Sequence, residues 1–207
     1  MNSNITLIYV HDPMCSWCYG FKPALSLLIE KLKHKVTIQY LLGGLATDTD
    51  EPMPEAMQKQ IKLNWKRIEE TIPGCIFNYE FWTSNIPKRS TYPACRAVLA
   101  AKNQSVRAEG KMNSAIQKAY YLTAQNPSDY SVLYNIAKEI NLDVDQFKFD
   151  IHSDKINIDL QRQITLSRKI GADSFPSLFI KVDEIYHPIV LDYNNVDIII
   201  EHINDYL

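Results

Sequence analysis

The chain has no apolar run approaching the ~20 residues of a helical membrane span. It also has no basic surplus, internal repeat, low-complexity tract or flexible linker. The first absence excludes a helix that crosses a bilayer. A formal net charge of −2, with 22% charged residues, sets aside nucleic acid and anionic membrane surfaces as partners. With 46% hydrophobic residues among 207, disorder is set aside too, and a sizeable core needs no disulfide staples. Met1-Asn2-Ser3-Asn4 runs straight into an apolar segment and leaves no room for a secretory leader, so a cytoplasmic location is expected. Cysteine is scarce as well. Of 4, Cys75 and Cys95 stand alone with no close histidine, so the second ligand pair of a zinc site is missing and no metal is expected.

The other two cysteines carry the chemistry. Cys15-Ser16-Trp17-Cys18 follows the apolar run Ile5 to Val10 and precedes a helix-like segment. The first sulfur would sit at a helix N-terminus, where unpaired N–H groups and the macrodipole favour a thiolate. The second, one turn on, can attack a mixed disulfide formed by the first. A C-x-x-C beside a βαβ pattern reads as a thioredoxin-type redox motif. The plain alternative is a pair of buried structural cysteines. Asp12, Pro13, Ser16 and Gly20 surround the pair with turn formers, which predicts an accessible loop instead.

Residues 4 to 10 read as a buried strand, and Phe21, Ala24, Leu25, Leu28 and Leu32 fall on one helical face. Val36 to Leu42 reads as a second strand ended by Gly43-Gly44, which makes a right-handed parallel crossover. From Pro52 to about Gly171 the strand signal vanishes, and breaks at Pro73-Gly74, Pro87, Pro93 and Asn126-Pro127 divide the region into several helices. One expected stripe is Met57, Ile61, Trp65, Ile68 and Ile72. The β-pattern resumes at Leu178 to Val182, turns at Asp183-Glu184 and returns through Ile185 to Leu191, before a helix carrying Val196, Ile199, Ile200, Ile203 and Leu207. The predicted fold class is α/β: a thioredoxin-like core, β-α-β … α-β-β-α, with an all-helical inserted domain. The expected boundaries are 1–50 and 155–207 for the core and 51–154 for the insertion.

Four segments resemble the DsbA family of thiol–disulfide oxidoreductases, and within it the branch that shares the fold of FrnE and 2-hydroxychromene-2-carboxylate isomerase. They are Asp12 to Phe21, the helical insertion, Pro93 to Ala101, and Gly171 to Leu178. The resemblance implies a protein-disulfide oxidoreductase or isomerase with catalytic Cys15 and Cys18 and a platform of Ser16, Trp17, Phe175 and Pro176. It also implies that Pro176 is the cis-proline facing the dithiol, leaving the Phe175 backbone free to pair with a substrate strand. The alternative is a trans proline that starts an edge strand. Pro23 matches the proline that bends the active-site helix in thioredoxins, or else lies in that helix's first turn. Two departures stand out. The acidic residue found six positions before the first cysteine in thioredoxin and DsbA is Tyr9 here, and no histidine lies between the cysteines.

The expected reaction is disulfide reduction or isomerisation, with Cys15 attacking and Cys18 resolving, at a potential of roughly −270 to −120 mV. No bound cofactor is expected. The redox group is the Cys15–Cys18 couple, glutathione is a candidate co-substrate, and the partner is a disulfide-containing protein or peptide. Two rival readings stay open: a glutathione-dependent isomerase or transferase of the kappa-class type, and a non-enzymatic redox sensor. Cys75 and Cys95 are expected as packed thiols. His11 is expected either to tune the thiolate or, as a strand-end histidine, to face solvent. Trp17, Tyr19 and Phe175 could form an apolar rim, unless Tyr19 packs on the inserted helices.

Overall fold

The computed structural model describes residues 5–207, so Asn4, counted in the first expected strand, lies outside it. Thr6–His11 forms β1, Thr37–Leu42 β2, Ser177–Val182 β3 and Ile185–Ile189 β4. They pair in the order β2-β1-β3-β4, with β1 parallel to β2 and antiparallel to β3. The central position of β1 explains its unbroken apolar run, since both of its faces are covered.

Side chains alternate across this sheet with a period of two. Leu7, Tyr9, Leu178 and Ile180 pack with Phe21, Leu25 and Leu28 of α1 (Ser16–Leu32) and with Ile199 and Ile203 of α9 (Val196–Asn204). Ile8, Val10, Leu41 and Phe179 face the other way, onto Ala172 and Leu166. Leu166 belongs to α8, Asp154–Lys169, which also reaches β2 by accepting the Leu42 N–H on Gln163 Oε1 at 2.8 Å.

Between β2 and β3 the chain is helical. The helices are α2 (Glu55–Thr71), α3 (Phe81–Ser84), α4 (Tyr92–Gln104), α5 (Val106–Leu122), α6 (Tyr130–Glu139), α7 (Val144–Ile151) and α8. The side chains of Asp143 and Ser153 cap α7 and α8, accepting the N–H of Asp145 and Gln146 and of Ile156. At the centre lies α4, whose nine successive residues from Pro93 to Ala101 are all buried. Four alanines in this run let α5, α6, α7 and α8 approach it from all sides. A second centre is Trp65 of α2, fully buried and stacked on Phe77 at 4.8 Å, with Trp82 and Tyr121 against it. Truncating Trp65 to alanine would cost about 3–5 kcal/mol.

The structure moves several expected edges. Val36 precedes β2, Val190 and Leu191 follow β4, and α9 ends at Asn204, before Leu207. In the α2 stripe Trp65 and Ile68 are buried, but Met57, in the first turn of α2, is exposed. Pro23 lies in the interior of α1 and not in its first turn. Among the described residues, the only β-pairing in the helical stretch is an isolated Pro52–Lys88 bridge.

Candidate active site

The parallel β1–β2 pairing directs the end of β1 and the start of α1 to one edge of the sheet. Cys15 is the N-cap of α1, and its sulfur accepts the Cys18 N–H at 3.2 Å. That N–H is one of the orphan donors of the helix start and points at the atom that carries charge in a thiolate. On the opposite side the Cys15 thiol donates to the carbonyl oxygen of Phe175 at 3.4 Å. The Phe175–Pro176 peptide bond is cis, and Pro176 is buried directly before β3. Both Cys15 and Cys18 are free thiols. Cys18 is almost wholly enclosed, and burial, followed by the neighbouring Cys15 sulfur, pushes its pKa well up.

The loop before the dithiol is not the accessible turn that its composition predicts. Asp12 has no exposed surface because its carboxylate is saturated with donors. Oδ1 accepts the Met14 N–H at 2.8 Å, and Oδ2 accepts the Leu45 N–H at 2.7 Å, the Thr91 hydroxyl at 2.7 Å and the Cys95 thiol at 3.4 Å. Burial raises its pKa against those four hydrogen bonds, which lower it. Asp12 thus joins the dithiol loop to the segment after β2 and to the start of α4. Cys95 is a packed thiol, while Cys75 is only half-buried.

His11 is likewise buried and does not face solvent. Its ring stacks on Tyr9 at 5.0 Å with the planes 7° apart and meets Tyr40 edge-on. Among the described residues neither ring nitrogen has a hydrogen-bond partner, and burial lowers its pKa to about 4.

The expected rim comes together only in part. Trp17 is half-exposed and packs against Tyr193 at 5.2 Å. Ser16 lies beside it at the helix start. Tyr19 turns away onto Tyr121 and Phe77 of the inserted helices. Phe175 offers its backbone to Cys15, but its ring lies against Gly43 and under Arg168, whose guanidinium carbon is 5.2 Å from the ring centre. A Cβ on Gly43 would collide with that ring.

Composition did not flag three phenols around the sulfurs. Tyr9, Tyr121 and Tyr193 all have raised pKa values, chiefly from burial, with the charges of Cys15 and Cys18 adding to the rise. Tyr9 was legible as a departure from the resembled pattern, and its period-two spacing from Leu7 aims it at α1. Tyr193 is a loop residue with no local signal.

Comparison with solved structures places the fold among DsbA-like proteins. A Nitrosomonas europaea protein provisionally assigned as a protein disulfide isomerase superposes with a TM-score of 0.86 at 23% identity, covering 98% of this chain and 97% of that one. The cytosolic disulfide reductase DsbM from Pseudomonas aeruginosa, in its structure with GSH, gives 0.75 at 22% identity over 98% of this chain and 100% of that one. Among curated sequences, the ClpXP adapter protein SpxH of Bacillus subtilis is 24% identical over 168 residues, 81% of this chain. The chain spans just over half the length of that relative, 55%. The family model described as Thioredoxin matches residues 8–199, from β1 into α9, taking in the inserted helices as well as the sheet, and the chain belongs to that family.

Proposed function

We propose that this protein is a thiol–disulfide oxidoreductase that reduces or isomerises disulfides of protein or small-thiol substrates, in the cytosol. The observation that carries the reading is the setting of Cys15: a helix N-cap sulfur that accepts the Cys18 N–H, with the Phe175 carbonyl opposite. In the forward reaction the Cys15 thiolate attacks one sulfur of the substrate disulfide. That S–S bond breaks, a Cys15–substrate bond forms, and the other substrate sulfur leaves as a thiolate that takes a proton. Cys18 then loses its proton and attacks the Cys15 sulfur, releasing the second substrate thiolate and leaving a Cys15–Cys18 disulfide. Two electrons pass from the dithiol to the substrate, and two equivalents of an external thiol, glutathione being the candidate, restore the dithiol. Ser16, Trp17, Phe175 and Pro176 are the proposed platform. If Cys18 instead attacks too slowly, a different cysteine thiolate of the substrate can attack the substrate sulfur bonded to Cys15, forming a new substrate disulfide and releasing the Cys15 thiolate, and the outcome is isomerisation.

The test is reduction of insulin disulfides with glutathione as the terminal reductant. Wild type should turn over and Cys15→Ser should not; equal rates would sink the reading. A second reading, a partner-binding adapter, is favoured by the similarity to SpxH across 81% of the chain. It requires a stable complex with a client in the absence of any turnover.

A further inference from the structure

Between α1 and α5, with Tyr19, the residue after Cys18, in its wall, lies a cavity of about 690 Å³. Tyr19 and Lys22 of α1 form one wall, and Lys111, Ser114, Lys118 and Leu122 of α5 form the other. The stacking of Tyr19 on Tyr121, with ring centres 4.6 Å apart, holds the two helices together at its end nearest the sulfurs. Among the described residues no carboxylate lines it. None of the three lysines forms a salt bridge among the described residues. Clustered charge of one sign against apolar walls focuses the field and raises the local concentration of opposite charge. Lys22 is partly buried, and this desolvation lowers its pKa, a penalty that an incoming anion would relieve.

The distance from the sulfur fixes what could fill this cavity. Lys22 lies seven residues beyond Cys15, two helical turns along the same side of α1. At 1.5 Å per residue this is about 10 Å along the axis. An extended peptide joined to Cys15 through its own cysteine, rising about 3.3 Å per residue, reaches Lys22 in about three residues.

Resting on the oxidoreductase reading, we propose that the Lys22/Lys111/Lys118 cavity binds an acidic stretch of a protein disulfide substrate, about three residues from the cysteine that reacts with Cys15. The test uses the reduced full chain and two labelled peptides with serine in place of cysteine. One carries Asp-Asp-Glu about three residues from the serine, the other Asn-Asn-Gln. Fluorescence anisotropy should show the acidic peptide binding about tenfold tighter at low salt. That preference should shrink in 1 M salt, where the Debye length falls to about 3 Å. It should vanish in the Lys111→Glu/Lys118→Glu double variant. Equal binding of both peptides by wild type, a preference that survives in the double variant, or full displacement of the acidic peptide by an equal concentration of reduced glutathione would each overturn the proposal. Reduction of the neutral bis(2-hydroxyethyl) disulfide by wild type reports the dithiol chemistry alone. Its absence would overturn the redox reading, and the lack of any peptide preference in wild type with that turnover intact would overturn the cavity assignment by itself.

Discussion

The thiol of Cys95 donates to the carboxylate of Asp12 at 3.4 Å across 83 residues of sequence. With the Thr91 hydroxyl 2.7 Å from the same oxygen, this fastens the start of the central helix α4 to the loop that carries the dithiol. Removing the carboxylate takes the acceptor from the buried Met14 N–H and Thr91 hydroxyl and from the partly buried Leu45 N–H, and a buried donor left unpaired costs about 1–3 kcal/mol. Asp12→Ala is therefore expected to lose about 3 kcal/mol or more of stability, measured by urea unfolding. Cys95→Ser keeps a donor toward Asp12 and should lose about 1 kcal/mol at most. Equal losses in the two variants would show that the carboxylate is not the fastening group.

His11 gives the fold an acid-sensitive component. Its ordinary value is 6.5 and its folded value is about 4, lowered by burial. Between these the unfolded chain holds a proton on His11 and the folded chain does not. Stability from this residue is therefore full above pH 6.5 and falls as the pH is lowered toward 4. Integrated over that window, the loss is about 3 kcal/mol. Urea midpoints at pH 7 and pH 4.5 should separate more for wild type than for His11→Phe, which retains the stack on Tyr9. The same separation in both proteins would assign the acid sensitivity to carboxylates.

The sheet and its helices were legible because their residues answer to local rules. The apolar run of β1, the Leu25/Leu28/Leu32 face of α1 and the Asp183-Glu184 turn all act over a few positions. The dithiol was legible for the same reason. The surroundings of the dithiol were not. Asp12 reads as a turn former because that is its local preference. What decides its burial is a set of donors supplied by Leu45, Thr91 and Cys95, far away in sequence. His11 reads as a solvated strand end, but Tyr9 and Tyr40 close over it. Phe175 was expected to add its ring to the rim, but Gly43, with no side chain, leaves a recess that the ring fills.

The four thiols should differ sharply in reactivity. Cys95 is fully buried and held by Asp12. The Cys75 value rises from 9.0 to about 11, first through burial and then through Glu69, so near pH 7 it has about a hundredfold less thiolate than an ordinary cysteine. Cys15, whose sulfur faces the Cys18 N–H at the helix start, should be alkylated first by iodoacetamide. Peptide-mapped rates decide this. Equal labelling of Cys15 and Cys75, or a fastest Cys95, would remove the basis of the proposed attack.

The resolving step is the most exacting test of the mechanism. Cys18 is enclosed and holds its proton, so a mixed disulfide on Cys15 persists unless that proton can leave. Cys18→Ala should accumulate substrate or glutathione adducts on Cys15, visible by intact-mass analysis after acid quench, because attack proceeds while release does not. Tyr9 offers a finer probe, since burial and the neighbouring Cys18 raise its pKa and keep its phenol O–H as a donor beside that sulfur. Tyr9→Phe keeps the ring against His11 and Phe21, so stability should change by less than about 1.5 kcal/mol. The phenol O–H that could donate to sulfur as charge develops is lost, and resolution should slow by about tenfold, the equivalent of one modest hydrogen bond. Rescue of the rate at higher pH would show that the phenol acts by favouring the Cys18 thiolate. An absence of adducts in Cys18→Ala, with Cys15 still reactive to iodoacetamide, would take the resolving role away from Cys18.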